Sequence, residues 1–165
     1  MNNEIPEIAL KKNAWLASQV DVAYPAKESL LGRDVYQSRL ANKSYQLLPS
    51  DQTPADIEEI HKVDFHKLTV LFSLNQASVY ESEFDKTHIL EFLSQIILSD
   101  EHQLYIGTVG SDVVASAIVT SVEGEVLVSD IVNQADQNTI GFAQQLVSLL
   151  GTSIVSNTKV WVESE

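Results

Sequence analysis

The sequence predicts an α/β fold with a mixed β-sheet, an antiparallel meander, a crossover helix and flanking helices. Three apolar, β-branched segments joined by short glycine-containing turns lie between residues 104 and 132, a pattern typical of an antiparallel meander. An amphipathic segment that ends at Gly151 follows them, and a further apolar segment comes after it. Because a helix between two strands of one sheet is a crossover, the strands on its two sides are predicted to pair in parallel.

Residues 1–43 carry a weaker helical pattern than the remainder of the chain. Their apolar side chains recur at spacings that fit two helices, of which the second is weakened by Gly32. We expect this region to be an N-terminal extension that packs on a domain formed by residues 44–165. The residues expected to line the two helices are Ile8, Trp15, Leu16 and Val20, followed by Leu30, Leu31, Val35 and Leu40.

Residues 45–63 are predicted to form a short strand, at residues 45–48, and then a helix. In the stretch "PSDQTPADIEEIHK", Thr53 would cap the free amides of the helix, and Pro54 suits its first position. The acidic residues that follow interact favourably with the positive end of the helix dipole. The residues expected on the buried side of this helix are Ile57, Ile60 and Val63.

The clearest helical pattern lies in "DKTHILEFLSQIILSDEHQ", where the helix is expected to end at Ser99 and Asp100. Before it, residues 68–74 form an apolar run whose periodicity does not distinguish a helix from a strand. The apolar residues that recur at helical spacing in the longer segment are Ile89, Leu90, Leu93, Ile96 and Ile97.

The meander is expected to comprise residues 104–109, 113–122 and 125–132, with turns at Gly110 and Gly124. The third of these strands begins with consecutive apolar residues, so it is predicted to be covered on both faces. The last strand of the chain is expected at residues 159–162. The crossover helix before it carries an apolar stripe formed by Ile140, Ala143, Val147 and Leu150.

The composition excludes several classes of function. The net charge is −13; residues 44–165 hold four basic against eighteen acidic side chains, whereas residues 1–43 hold six against five. Nucleic acids and anionic membranes require cations on the protein surface, so neither is expected as a partner. The chain has no cysteine, which excludes disulfides, Cys-ligated zinc and a thiol nucleophile. Without a membrane-length apolar segment or a recognisable secretory signal, a cytoplasmic location is expected.

No metal site or nucleophilic serine is predicted. His61 and His66 are five residues apart and would not share one face of a helix. The chain contains no Gly-x-Ser-x-Gly motif.

The stretch "NTIGFAQQLVSLLG", residues 138–151, combines a helix start with small residues. The first turn of a helix has unpaired N–H groups and a partial positive charge, and small residues let a diphosphate approach the backbone. From about Tyr45 onward, the order of elements resembles the GNAT superfamily of acyl-CoA-dependent N-acyltransferases. The family's motif at this helix is (Arg or Gln)-x-x-Gly-x-(Gly or Ala), with a leucine soon after. Gly141, Ala143 and Leu146 match its later positions, whereas Asn138 stands where Arg or Gln is expected.

The resemblance implies acetyl-CoA or another acyl-CoA as the cofactor and a small-molecule or peptide amine as the acceptor. It places the thioester carbonyl against backbone amides at the end of the third meander strand, and the pyrophosphate at the helix start. It also implies that the Gly141 and Ala143 amides lie near an open cleft. The cofactor-binding residues that it implies are Ile131, Val132, Asn138, Gly141, Phe142 and Ala143.

The sequence also departs from the family in two respects. The loop at residues 133–138 contains Asp136 and no cation. Compared with the family, the chain is shortened after the last predicted strand, and the helix that often supplies a tyrosine to protonate the leaving thiolate is not found. The alternative for the helix start is that its small residues only permit close packing.

Transfer to an amine requires a proton acceptor, and the two candidates are Glu125 and Asp130 on the strand before the loop. Regular alternation along that strand would place their side chains on opposite faces of the sheet, so only one could face the cleft. The alternative for each is a solvated charge at the end of a strand.

The sequence therefore predicts an acyl-CoA-dependent N-acyltransferase-like protein, or a degenerate relative that keeps the fold without the activity. The first alternative is an acidic, non-catalytic protein-binding module, such as a chaperone or a regulatory subunit. The second is one part of a longer enzyme. If the family's last elements are missing, residues 159–162 form an open sheet edge, and a homodimer or a protein partner is expected there.

Overall fold

Five α-helices and six strands are present in the computed structural model, which describes residues 4–151 and 157–165. The helices are α1 (Glu7–Ser18), α2 (Lys27–Arg39), α3 (His66–Ala77), α4 (Glu83–Leu93) and α5 (Thr139–Leu149). The strands are β1 (Ser44–Leu47), β2 (Glu59–Lys62), β3 (His102–Val109), β4 (Asp112–Val122), β5 (Glu125–Asn133) and β6 (Lys159–Ser164).

The six strands form one mixed sheet in the order β1-β6-β5-β4-β3-β2. Strands β3, β4 and β5 are the predicted antiparallel meander, with Gly110 and Gly124 in the two turns at positive φ. Strands β5 and β6 are parallel neighbours, and α5 lies between them in sequence, as predicted for a crossover. The predicted α/β class, with its mixed sheet and crossover helix, is confirmed.

Two hydrophobic cores lie on opposite faces of the sheet. Helices α1 to α4 cover one face, where Leu16, Phe72 and Phe92 are fully buried. Helix α5 covers the other face and buries Phe142 and Leu146. The central strands are thus covered on both faces, which explains why the start of β5 is continuously apolar.

Helices α2 and α4 pack closely because α2 carries a glycine at the contact. A Cβ atom on Gly32 would overlap the carbonyl oxygen of His88 and the side chain of Phe92. Gly32 therefore permits the close packing of α2, although a glycine in an isolated helix only lowers the stability of that helix.

The prediction of a helix from Thr53 onward is wrong, because residues 52–57 belong to no helix or strand and β2 follows them. The Ala55 N–H donates to the carbonyl oxygen of Gly141 at 2.8 Å. The backbone of Ile57 exchanges two hydrogen bonds with the side chain of Gln145, at 3.0 and 2.8 Å. Backbone groups that a helix would pair internally are therefore paired with α5, and tertiary contacts override a strong local helix-start signal.

The structure assigns one segment before the meander that the sequence left open, and it corrects the end of one predicted helix. The apolar run at residues 68–74 is helical and belongs to α3. Helix α4 ends at Leu93, about one and a half turns before the predicted end at Ser99. Beyond it the chain turns so that Ile96 remains buried, while the Ile97 N–H donates to the side chain of Gln19 at 2.8 Å.

Strand β6 is not a sheet edge, contrary to the prediction for residues 159–162. Strand β1 pairs with it antiparallel, from Ser44 opposite Ser164 to Leu47 opposite Trp161. The position beside β6 is thus filled by a strand from earlier in the chain. Because β1 covers this side of β6, the open edge expected for a homodimer or a protein partner is not formed there. Within the described residues, the helices are too short or too polar to cross a membrane.

Candidate functional site

The parallel strands β5 and β6 separate at a bulge in β5. Their register runs from Glu125 opposite Lys159 to Val128 opposite Val162. After this point β5 holds an extra residue relative to β4, and the residue at the irregularity, Asp130, has a φ of +52°. Its N–H donates to the side chain of Glu163 at 3.0 Å and not to the backbone of β6. A cleft opens between the two strands beyond the bulge.

The cleft has a volume of about 200 Å³ and is bounded by residues of α2, α3, α4, β5 and α5 and by short segments outside these elements. Strand β5 contributes Ile131 and Val132 to its wall, and α5 contributes its first residue, Thr139. The opposite wall comes from the helical face of the sheet, with residues of α2, α3 and the segment after α3. The polar side chains on that wall are Tyr36, Arg39, Gln76 and Tyr80.

A buried ion-pair network forms the floor of the cleft. The side chain of Lys12 in α1 has no exposed surface, and its Nζ lies 2.9 Å from Asp130 and 3.7 Å from Glu163. The same Nζ donates to the Tyr36 hydroxyl at 2.7 Å, and that hydroxyl donates to Asp130 at 2.7 Å. Ser129 donates a further hydrogen bond to Asp130. The carboxylate at the bulge is therefore fully hydrogen-bonded.

The charges in this network stabilise one another. Burial alone would raise the pKa of Asp130, but the charges of Lys12 and Lys43 and the hydrogen bonds lower it to about 2. Burial alone would lower the pKa of Lys12, yet the nearby carboxylates raise it above its ordinary value. Burial and the same carboxylates raise the pKa of Tyr36. At neutral pH Asp130 is thus a stable anion, which makes it a poor proton acceptor.

The structure corrects the expected positions of the two candidate bases. Glu125 accepts a hydrogen bond from Trp161 at 3.1 Å on the α1 side of the sheet, where Asp130 also contacts Lys12. The two carboxylates therefore share a face, because the bulge shifts the alternation of β5 by one residue. Glu125 lies at the opposite end of β5 from the bulge. Asp130 is only 5% exposed, so it is not a solvated strand-end charge.

The side chain of Asn138 caps the first turn of α5. Asn138 Oδ1 accepts a hydrogen bond from the Gly141 N–H at 2.9 Å, and the Asn138 carbonyl accepts from the Phe142 N–H at 3.1 Å. A Cβ atom at position 141 would overlap the Asn138 side chain, so the glycine permits this cap. Asp136 in turn accepts from the Asn138 N–H at 3.0 Å and so orders the loop.

Only some of the cofactor-binding residues implied by the resemblance line the cleft. Ile131 and Val132 line the cleft, whereas Phe142 and Ala143 are fully buried against the sheet. The expectation that the Gly141 amide faces an open cleft is wrong, since this N–H donates to the side chain of Asn138. Thr139 is the residue of α5 that the cleft reaches. Whether an acyl-CoA binds there stays a prediction.

Two cations at the cleft were not anticipated from the sequence. Arg39, at the end of α2, places Nη2 2.7 and 2.6 Å from the two carboxylate oxygens of Glu165, and Lys43 lies 3.2 Å from the same carboxylate. The resemblance to the GNAT family implies phosphate-binding cations in the loop before α5, which holds none. The charge distribution could have pointed to Arg39 and Lys43, because residues 1–43 carry most of the basic side chains.

Comparison of the sequence with models of protein families and with curated proteins finds no match.

Proposed function

We propose that the protein is an acyl-CoA-dependent N-acyltransferase-like protein of the GNAT type, with the acyl-CoA held between β5 and β6. The observation that carries this proposal is the separation of two parallel strands at the Asp130 bulge, beside the start of the crossover helix. A bulge leaves one residue out of the strand ladder and re-aims the backbone. Backbone groups at Ile131 and Val132 can then face a ligand in the cleft.

The proposed chemistry needs little from side chains at the cleft. Backbone N–H groups that point at a thioester carbonyl would stabilise the negative charge that develops on its oxygen during attack by the amine. The C–N bond to the amine would form as the C–S bond of the thioester breaks, and the proton that the amine loses would pass through solvent water to the leaving CoA thiolate. Because Asp130 is held as an anion by Lys12 and Tyr36, we assign it to positioning the bulge and not to accepting the proton.

We expect acyl-CoA to bind weakly, with a dissociation constant near 1 mM. The Gly141 N–H at the helix start is already bonded to Asn138, and Asp136 adds negative charge to the adjacent loop. A phosphate of acyl-CoA would have to displace the Asn138 side chain from the Gly141 N–H and would be repelled by Asp136. The helix dipole of α5 favours an anion at Thr139, but only by roughly 0.3–1 kcal/mol.

The proposal is tested by thermal unfolding with and without acetyl-CoA. With a dissociation constant near 1 mM, 5 mM acetyl-CoA stabilises the folded state by about 1 kcal/mol, which raises the melting temperature by about 2–4 °C. Thr139→Glu adds a negative charge at the cleft and should abolish the shift. Gln144→Glu adds the same charge elsewhere on α5 and should leave it unchanged. No shift in the wild-type protein at 5 mM would contradict the proposal.

A non-catalytic role is the second candidate, and the capped helix start favours it. The Asn138 cap and the low pKa of Asp130 both reduce the groups available for catalysis. In that case the fold serves as an acidic module that binds a protein partner. Acetyl-CoA binding followed by acyl transfer to an amine would exclude this role, whereas binding without transfer would support a degenerate transferase.

A further inference from the structure

We propose that Arg39 and Lys43 bind a carboxylate of the acyl acceptor, and that the side chain of Glu165 holds this site until the acceptor arrives. The acceptor would thus be an amine that carries a carboxylate. This proposal rests on the proposed function of the cleft, and its test separates the two.

Both cations and the cleft belong to one surface. Arg39, Lys43 and Glu165 line the same cavity as Ile131 and Thr139. Arg39 engages both oxygens of the Glu165 carboxylate, and Lys43 adds a contact at 3.2 Å. A planar carboxylate with both oxygens bound is therefore a ligand that these two side chains already accommodate.

The cations are held in place by contacts other than Glu165. The guanidinium of Arg39 lies over the ring of Tyr80, 4.5 Å from its centroid. Lys43 also lies 3.6 Å from the buried carboxylate of Glu163. The Arg39 and Lys43 side chains are only 27% and 16% exposed. Both would keep their positions when Glu165 moves away, so the site is preorganised for a second carboxylate.

Glu165 can leave without disrupting the sheet. It follows Ser164, the last residue of β6, whose pairing with Ser44 does not involve the Glu165 side chain. Its side chain is 38% exposed, whereas the Glu163 side chain is 2% exposed and is paired with Lys12. Because Glu165 is the most exposed member of this cluster, an external carboxylate can reach Arg39 and Lys43 and compete with it.

A carboxylate fits the local charge better than a phosphate does. The buried anions Asp130 and Glu163 remain close to the site when Glu165 is displaced. Their repulsion scales with the charge of the ligand, so a diphosphate is disfavoured relative to a singly charged carboxylate. A diphosphate of acyl-CoA would instead approach the positive end of α5 at Thr139.

The test uses two matched amines, 4-aminobutyrate and 4-aminobutanamide, which differ in the carboxylate. Binding to the full chain is measured by NMR titration. Glu165→Gln removes the competing charge while keeping the shape, and should bind 4-aminobutyrate about fivefold more tightly than the wild-type protein. Arg39→Gln should abolish that binding, and Lys43→Gln should weaken it at least several-fold. Glu83→Gln, which removes an exposed carboxylate on α4, is the control and should change nothing.

Three results would overturn the proposal. One is a Glu165→Gln variant that binds 4-aminobutyrate no more tightly than the wild-type protein. Another is equal binding of the amide. A third is Arg39-dependent binding of inorganic diphosphate in place of the carboxylate, which would assign the site to the cofactor. Acetyl-CoA is titrated separately, so carboxylate binding without acetyl-CoA binding would leave the carboxylate site standing and overturn only the proposed function.

Discussion

A lysine without exposed surface joins four elements of the fold at the β5 bulge. Lys12 of α1 contacts Tyr36 of α2, Asp130 of β5 and Glu163 of β6. A buried ammonium is tolerated only when it is paired and hydrogen-bonded, and each of these partners meets that need. The network therefore fixes both the docking of the N-terminal helices and the shape of the bulge.

Replacing Lys12 should destabilise the protein far more than replacing its neighbour. Lys12→Met keeps the volume but leaves two buried carboxylates without their cation, so we expect a loss of about 3–5 kcal/mol in the free energy of unfolding. Lys11→Met removes an exposed pair with Glu101 and should change the free energy of unfolding far less. Urea unfolding of both variants measures the difference. Equal losses would contradict the structural importance of the buried pair.

The Asp130 carboxylate should make stability depend on pH in the acid range. Its folded-state pKa of about 2 lies below its ordinary value of about 3.9, so its contribution is fully present above pH 4 and is lost as the pH falls towards 2. That contribution is on the order of 2 kcal/mol. The stability difference between wild type and Asp130→Asn should therefore shrink between pH 6 and pH 3 in urea titrations. A constant difference over this range would show that the folded-state pKa is not lowered.

At the residue scale, the sequence indicated which side chains bear charge but not which of them pair. Asp130 was considered either a candidate base or a solvated strand-end charge, and its burial follows from a bulge that breaks the alternation of β5. Lys12 could not be singled out, because its partners lie in other elements, distant in sequence. Local patterns carry no information on such long-range pairing.

At the scale of elements, strong periodicity was predictive, whereas the capping signal at Thr53 was not. The three meander strands and α5 lie close to their predicted positions, because each has a continuous pattern and a glycine close to one of its ends. The helix predicted at Thr53 is absent, because the backbone of Ala55 and Ile57 pairs with α5. The small residues at the start of α5 proved to serve capping and packing at Gly141 and Ala143.

A methyl group added at Gly32 should disturb the packing of α2 on α4. In Gly32→Ala the new Cβ meets the His88 carbonyl, so α2 and α4 must move apart at a cost of about 1–3 kcal/mol. Gly151→Ala is the matched control, since its Cβ would meet no atom of the described residues within 4 Å, and it should change stability by less than about 0.5 kcal/mol. Thermal and urea unfolding compare the two. If both variants are as stable as the wild type, the close packing of α2 on α4 is contradicted.

At the scale of the whole molecule, the N-terminal region and the sheet together form the cleft. Residues 44–165 carry most of the negative charge, whereas Lys12, Arg39 and Lys43 reach the cleft from the region before them. The parallel pairing of β5 and β6 followed from the crossover rule, but the position of β1 beside β6 did not. The boundary at residue 44 stays a prediction.

If acyl-CoA binds where β5 and β6 separate, an NMR titration of the isotope-labelled full chain with acetyl-CoA will show it. We expect amide shift changes at 5 mM to cluster at Asp130, Val132 and Thr139, around the bulge and the helix start. Residues at the other end of β5, such as Glu125, should remain unchanged. Shift changes confined to another surface, or none at this concentration, would contradict the claim.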